Sequence, residues 1–243
     1  MNRQAQAVVL LLVGGAVLRS SLTDLYLRYV KQGLRPFLIA AGALLVVAAV
    51  MTLWYEFRGG RAAHDHEGHP QGDDGHSHAH GPWVAWLLIL PVFALLLVSP
   101  PALGSYAASR NGTALQQVSD FPPLPAGDPV KISVLDYASR AVFDGGRSIG
   151  DRTVRLTGFV VTGGEGGPYL ARMVLSCCAA DARPVKVALT GEVPAGLKAD
   201  SWIEVTGRYT AKTVKDAVNG ETIPYLEVID LAPVAAPNEQ YES

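Results

Sequence analysis

The sequence predicts two kinds of fold in one chain: three transmembrane helices, then a small OB-like antiparallel β-barrel domain with one leading helix. Three observations lead there. Charge is unevenly spread: residues 1–100 hold seven Lys or Arg and six Asp or Glu, whereas residues 101–243 hold thirteen and sixteen. The N-terminal part contains three apolar runs. The C-terminal part places apolar residues at alternate positions between glycine-rich turns, the pattern of half-buried strands. The expected boundaries are a membrane domain at 1–103, a linker at 104–127, the barrel at 128–234 and a disordered tail at 235–243.

The first apolar run predicts a span at 5–18. It is short and follows Arg3, as the core of a secretory signal peptide also does. Arg19-Ser20-Ser21 offers no convincing small-x-small cleavage site, which favours an uncleaved span. The second run, 37–55, has nineteen uncharged residues, close to the roughly 20 that a membrane helix needs. The third is expected at 83–100, and its Pro91 is tolerable in lipid where neighbours satisfy the freed carbonyl. Trp54, Tyr55, Trp83 and Trp86 fall at run ends, where aromatic rings favour the lipid–water interface. The loop between the first two runs carries Arg19, Arg28, Lys31 and Arg35 against Asp24. The positive-inside rule puts that loop in the cytoplasm, and the C-terminal domain with it. Arg3, Arg58 and Arg61 pull the other way. The expectation is a multi-pass protein of the cell membrane with lipid as a partner.

In Lys131–Asp144 the apolar residues Val134, Leu135, Ala138 and Val142 recur at helical spacing, and Gly145-Gly146 closes the helix. Strands are expected at 151–162, 169–177, 184–189, 202–209 and 223–231. Gly158 and Gly207 fall inside them, where a barrel strand must bend sharply. Five such strands resemble an OB-type barrel. Nucleic acid is excluded as a partner. The C-terminal part is net acidic and has no basic stripe with interleaved aromatics, whereas phosphate binding needs a positive footprint.

Chemistry concentrates in two stretches. All six histidines, His64, His66, His69, His76, His78 and His80, lie in one loop at 60–82 together with Asp65, Glu67, Asp73 and Asp74. Imidazole suits zinc, copper and nickel, and carboxylates add harder ligands. Pro70, Gly72 and Gly75 oppose regular structure, so the loop is expected to bind several ions loosely. The second stretch is Ser176-Cys177-Cys178-Ala179-Ala180-Asp181. Thiolates favour zinc and copper(I). Neighbouring residues of a strand point to opposite faces. Cys177 and Cys178 can therefore share an ion only if the chain leaves the strand there, with Asp181 as third ligand or as a cap on the turn. Catalytic constellations are missing. The C-terminal domain has no histidine for a Ser-His or Cys-His dyad, and no phosphate-binding GxxxxGK[ST] loop occurs. The chain is not expected to be an enzyme.

Three segments carry a family resemblance: LYLRYVKQGLRPFLIAAG at Leu25–Gly42; the His/Asp-rich loop before a run ending in Pro100-Pro101-Ala102-Leu103-Gly104; and LSCCAADARP at Leu175–Pro184, preceded by Leu156-Thr157-Gly158-Phe159-Val160. Together they resemble the YcgQ-like family of bacterial membrane proteins, described as permease subunits. The resemblance implies an integral-membrane permease as partner, a link to zinc homeostasis, and a shared role for Cys177, Cys178 and Asp181. The resulting expectation is an auxiliary subunit of a metal permease, with zinc first and copper or nickel behind. Two alternatives stand beside it: a thiol-dependent redox or carrier protein, and a structural assembly factor.

Overall fold

The computed structural model describes residues 3–59, 101–117, 120–164 and 167–242. They fall into two compact units: Met1–Tyr26 with Gly33–Pro101, and Leu27–Gln32 with Ala102–Ser243. The expected third span at 83–100 and the histidine loop at 60–82 lie outside the described residues.

The first unit is built on helices α1 (Arg3–Leu22) and α2 (Arg35–Gly59). Pro36 sits in the first turn of α2, where a missing N–H costs no intrahelical bond. Two glycines let the helices approach. A Cβ on Gly14 would lie 3.1 Å from the Gly42 carbonyl, and one on Gly42 would lie 2.9 Å from Leu18. Small residues at such a crossing permit the close backbone packing that membrane helices use. Phe37, Leu44, Val47, Val50 and Trp54 are left exposed on α2. With the turn before it, α2 supplies a 24-residue stretch, Gln32–Tyr55, whose most apolar 18-residue window has mean hydropathy 2.4, long and apolar enough to cross a membrane. The apolar part of α1, Gln6–Leu22, is shorter. Among the described residues one helix meets the requirement, against two of the three spans expected there.

The second unit is a closed five-stranded barrel with a leading helix. Its strands are β2 (Val154–Gly164), β3 (Gly167–Val174), β4 (Arg183–Gly191), β5 (Trp202–Lys215) and β6 (Thr222–Pro233). β2 pairs with both β3 and β5, β3 with β4, β5 with β6, and β4 with β6 in parallel. This circuit is consistent with an OB-type barrel. The two mid-strand glycines sit where strands nearly touch. A Cβ on Gly158 would lie 2.6 Å from the Ala171 carbonyl oxygen, and one on Gly207 would lie 2.5 Å from that of Glu227.

The leading helix, α4 (Val134–Phe143), starts later than the spacing predicts because Val130–Lys131 pairs as a short strand, β1, with Val154–Arg155. Ser133 Oγ caps α4 by accepting from the Asp136 N–H at 2.9 Å. Val134, Tyr137, Ala138 and Ala141 of α4 join the barrel interior, packing with residues such as Leu156, Leu170, Val187 and Leu226. Tyr137 donates to the Tyr225 carbonyl at 2.6 Å, and burial pushes its phenol above the ordinary range.

A second apolar cluster covers the outer face of β2, β3 and β4. Phe159, Tyr169, Ala171, Met173 and Ala188 pack there with Ala108, Leu103 and Tyr241. Residues expected as a linker therefore form part of the domain. Ser105–Arg110 is helix α3. The segment after α3 is fastened by a buried ion pair, Lys186 Nζ to Asp216 Oδ2 at 2.9 Å, with both side chains under 5% exposed. Lys186 also donates to the Asn111 carbonyl at 2.9 Å, and Asp216 Oδ2 accepts from the Thr113 N–H at 2.7 Å. Burial drives the Asp216 carboxyl upward, but the hydrogen bonds from Lys186, Val218 and Thr113 outweigh it and hold it below the ordinary carboxylate range.

The tail corrects another expectation. Residues 235–243 were expected to be disordered, yet Tyr241–Glu242 forms strand β7, parallel to Met173–Val174. Glu242 holds it in place. Its carboxylate accepts from the N–H groups of Val134 and Leu135 at 3.0 and 2.9 Å, and lies 3.4 Å from Arg172. A carboxylate at the first turn of a helix meets both the free N–H groups and the positive end of the dipole.

Removing one partner of a buried ion pair leaves the other uncompensated. Lys186→Met is expected to destabilise the domain by about 3 kcal/mol or more, seen as a lower urea midpoint. Lys186→Met with Asp216→Leu is expected to recover only part of that loss, because the Thr113 and Val218 N–H groups lose their acceptor. An unchanged midpoint in the single variant would contradict the role given to the pair.

Candidate metal centre

β3 ends at Val174, and the chain must cross to β4 at Arg183. Leu175 makes the last strand-like bond, its N–H donating to the Glu242 carbonyl at 2.9 Å. Beyond it the chain leaves the strand. Ala179–Asp181 forms one 3-10 turn, with Cys178 in extended geometry before it. The turn brings Asp181 back over the residues that precede it. Its Oδ1 accepts from the Ser176 N–H at 3.0 Å, and its Oδ2 accepts from those of Cys177 at 2.8 Å and Cys178 at 3.3 Å.

The departure from the strand has the effect that sequence spacing required of it. One ligand atom each from Cys177, Cys178 and Asp181 lies within 4.8 Å of the others, a group that could hold a metal ion. Cys177 is exposed, and Cys178 and Asp181 are half-buried. The group combines two soft sulfurs and one carboxylate oxygen. Zinc takes thiolates at about 2.3 Å and carboxylates at about 2.0–2.2 Å in a tetrahedron, and sites that keep a free position have three protein ligands. The three donors fit that requirement. His64, His66, His69, His76, His78 and His80 all lie outside the described residues.

Hydrogen bonding sets the charge state of the group. The Cys177 thiol donates to the Asp181 carboxylate, and this contact, with a smaller one from Cys178, pushes the thiol up to about 11. The same contact and the three backbone N–H groups hold the Asp181 carboxyl down at about 2. The loop therefore carries a protonated Cys177 and an ionised Asp181 at neutral pH. Asp181's contribution to the loop is present above the ordinary carboxylate range and is lost as pH falls toward 2. That of Cys177 is present below the ordinary thiol range and is lost as pH rises toward 11.

A second segment supports the loop from the side, and sequence reasoning missed it. The Lys31 N–H donates to the Cys177 carbonyl at 3.1 Å, and the Ala179 N–H donates to the Tyr29 carbonyl at 2.7 Å. Val30 and Cys178 face each other as an antiparallel bridge. Tyr241 joins this segment to the tail: its hydroxyl donates to the Arg28 carbonyl at 3.1 Å and accepts from the Leu103 N–H at 2.9 Å. No local signal in 27–32 announces a pairing with residues some 150 positions later.

A family model, the DUF1980 C-terminal domain of bacterial proteins, matches residues 147–242. It takes in every barrel strand, the Cys-Cys-Asp loop and β7. No curated protein and no solved structure matches the chain.

Because Asp181 holds the proton on Cys177, Asp181→Asn is expected to lower the Cys177 pKa toward the ordinary thiol value. Its alkylation by iodoacetamide at pH 8 should then speed up roughly tenfold, after allowance for the weaker nucleophilicity of a lower-pKa thiolate. Equal rates in both proteins, with apparent pKa values near 8.5, would show that the Asp181–Cys177 contact does not control the thiol.

Proposed function

We propose that this protein is an auxiliary membrane subunit that binds zinc through Cys177, Cys178 and Asp181 and serves an integral-membrane metal permease. One observation carries the metal reading: two thiols and a carboxylate share a loop whose backbone is already folded around them. The site would belong to the exchange type. Its three protein donors sit at the surface and leave a position for water or a ligand from another donor, which suits ions that arrive and leave. The histidine loop, through His64, His66, His69, His76, His78 and His80, would gather ions loosely before transfer. Copper or nickel would compete by softness and imidazole affinity.

Several features support the rest of the proposal. The stretch Gln32–Tyr55 can cross a membrane, and its exposed apolar side chains suit lipid. The three predicted spans contain no Asp, Glu, Lys, Arg or His, and transport pathways usually show one. Transport is therefore assigned to the partner. The resemblance to YcgQ-like permease subunits agrees with that assignment. A cytoplasmic site would keep both thiols reduced. The redox alternative needs a low-pKa thiolate, whereas Cys177 moves the other way. Nucleic-acid binding loses support too. OB barrels take oligonucleotides on the face of their second and third strands, and here Ala108, Leu103 and Tyr241 pack on the outer face that includes those strands.

The test is zinc titration of the full chain in detergent. One tight equivalent is expected in the wild type, lost in Cys177→Ser/Cys178→Ser and kept when the six histidines become alanine. Loss of the Cys177 proton on binding should raise the affinity by at least about tenfold per pH unit between pH 6 and 8. Identical tight binding in the wild type and the double Cys variant would refute the proposed site.

A further inference from the structure

Two of the backbone groups that hold residues 27–32 in place belong to the candidate ligand loop itself. Lys31 donates to the carbonyl of Cys177, and Tyr29 accepts from the residue directly after Cys178. The bridge partner of Val30 is Cys178, which it meets in extended geometry, φ −149° and ψ 170°. The conformation that brings the two sulfurs and the carboxylate together is therefore the conformation that residues 29–31 pair with.

We propose that docking of segment 27–32 and occupancy of the Cys177–Cys178–Asp181 site are positively coupled, so that the segment reports whether metal is bound. This rests on the metal-binding reading above. The coupling has a physical route. Without a metal the loop is held by Asp181 from within and by segment 27–32 from the side. Releasing the segment frees the Cys177 carbonyl and the Ala179 N–H and lets the Cys177–Cys178 backbone turn. Adjacent thiols then no longer have a fixed common target. Binding energy must be spent to restore the geometry, so the undocked form binds metal more weakly. Linkage makes the effect reciprocal: whatever factor docking adds to metal affinity, metal adds to docking.

Tyr241 extends the device to the C-terminal strand. Its hydroxyl holds the Arg28 carbonyl, while β7 pairs with Met173–Val174 just before the loop. The segment and the strand thus grip the loop from two sides and are joined to each other. In sequence, residues 27–32 lie between α1 and α2, so a state set at the thiols reaches a part of the chain remote from the barrel strands.

The experiment is hydrogen exchange with mass spectrometry on the full chain in detergent, with and without one equivalent of zinc, beside zinc titration of two variants. Lys31→Pro removes the N–H that reaches Cys177, and Tyr241→Phe removes the bond to Arg28. Neither replaces a ligand side chain. Zinc is expected to slow exchange in residues 27–32 by about tenfold. Lys31→Pro is expected to weaken zinc binding by about threefold to tenfold, the effect of one lost hydrogen bond. Tyr241→Phe should act in the same direction with a smaller effect, and it decides the matter if Lys31→Pro fails to fold. If zinc binds the wild-type thiols and exchange in 27–32 does not change, the coupling is overturned while the metal site stands. Wild-type affinity in a folded variant would also overturn it. No zinc binding by the wild type would overturn the metal reading and this inference together.

Discussion

Strand β2 is paired on both edges, and the rest of the C-terminal unit depends on that constraint. Its first half, Val154–Phe159, runs beside β5, and its second half, Phe159–Gly164, runs beside β3. One strand can serve two neighbours in turn only if it bends at the changeover. Gly158 stands there, with no side chain to strike the Ala171 carbonyl. The double pairing closes the sheet, creates an interior for α4 to fill, and fixes the direction in which β3 leaves the barrel. The chain must then cross from β3 to β4, and that crossing is the Cys-Cys-Asp loop. The site is therefore hung from a barrel with a buried apolar interior: Val154, Leu156, Val160, Leu170, Val185 and Val187 are all fully buried.

The loop uses one carboxylate for two purposes. Asp181 folds the backbone by accepting three N–H groups, and its carboxylate also accepts from the Cys177 thiol. A carboxylate has about four lone-pair sites, which the three N–H groups and the thiol together fill, so a metal could take only the place that the thiol proton leaves. The consequence is a loop in which Cys177 keeps its proton at neutral pH, a proton that an ion entering the proposed site would have to displace. A protonated Cys177 is a weaker nucleophile than its thiolate. It still offers sulfur to an ion that can compete for it. The docked segment at residues 29–31 adds a support outside the loop's own sequence.

The sequence made some of this visible and hid the rest for reasons that can be named. Alternation exposed the five strands, because a barrel buries one face of each strand. Gly158 and Gly207 marked the corners, because only glycine permits those approaches. The SCCAAD stretch was recognisable because its donors are close in sequence. What stayed hidden was non-local. Lys186 and Asp216 are ordinary residue types, and nothing in their surroundings says that they meet in the interior. Residues 104–127 read as linker because glycine and proline are frequent there, yet Ala108 and Thr113 are buried against the barrel. The tail looked polar and short, but Glu242 finds the free N–H groups at the start of α4. Tyr29 to Lys31 pair through backbone atoms, which carry no sequence signal at all.

In the proposed site one ion is held by two adjacent thiols on a loop shaped by Asp181. X-ray absorption at the zinc edge, on the full chain loaded with one equivalent, tests it most directly. Two sulfur neighbours at about 2.3 Å are expected, with the remaining shell of oxygen or nitrogen at about 2.0–2.2 Å. A shell of nitrogen and oxygen alone would place the tight ion elsewhere and contradict the account.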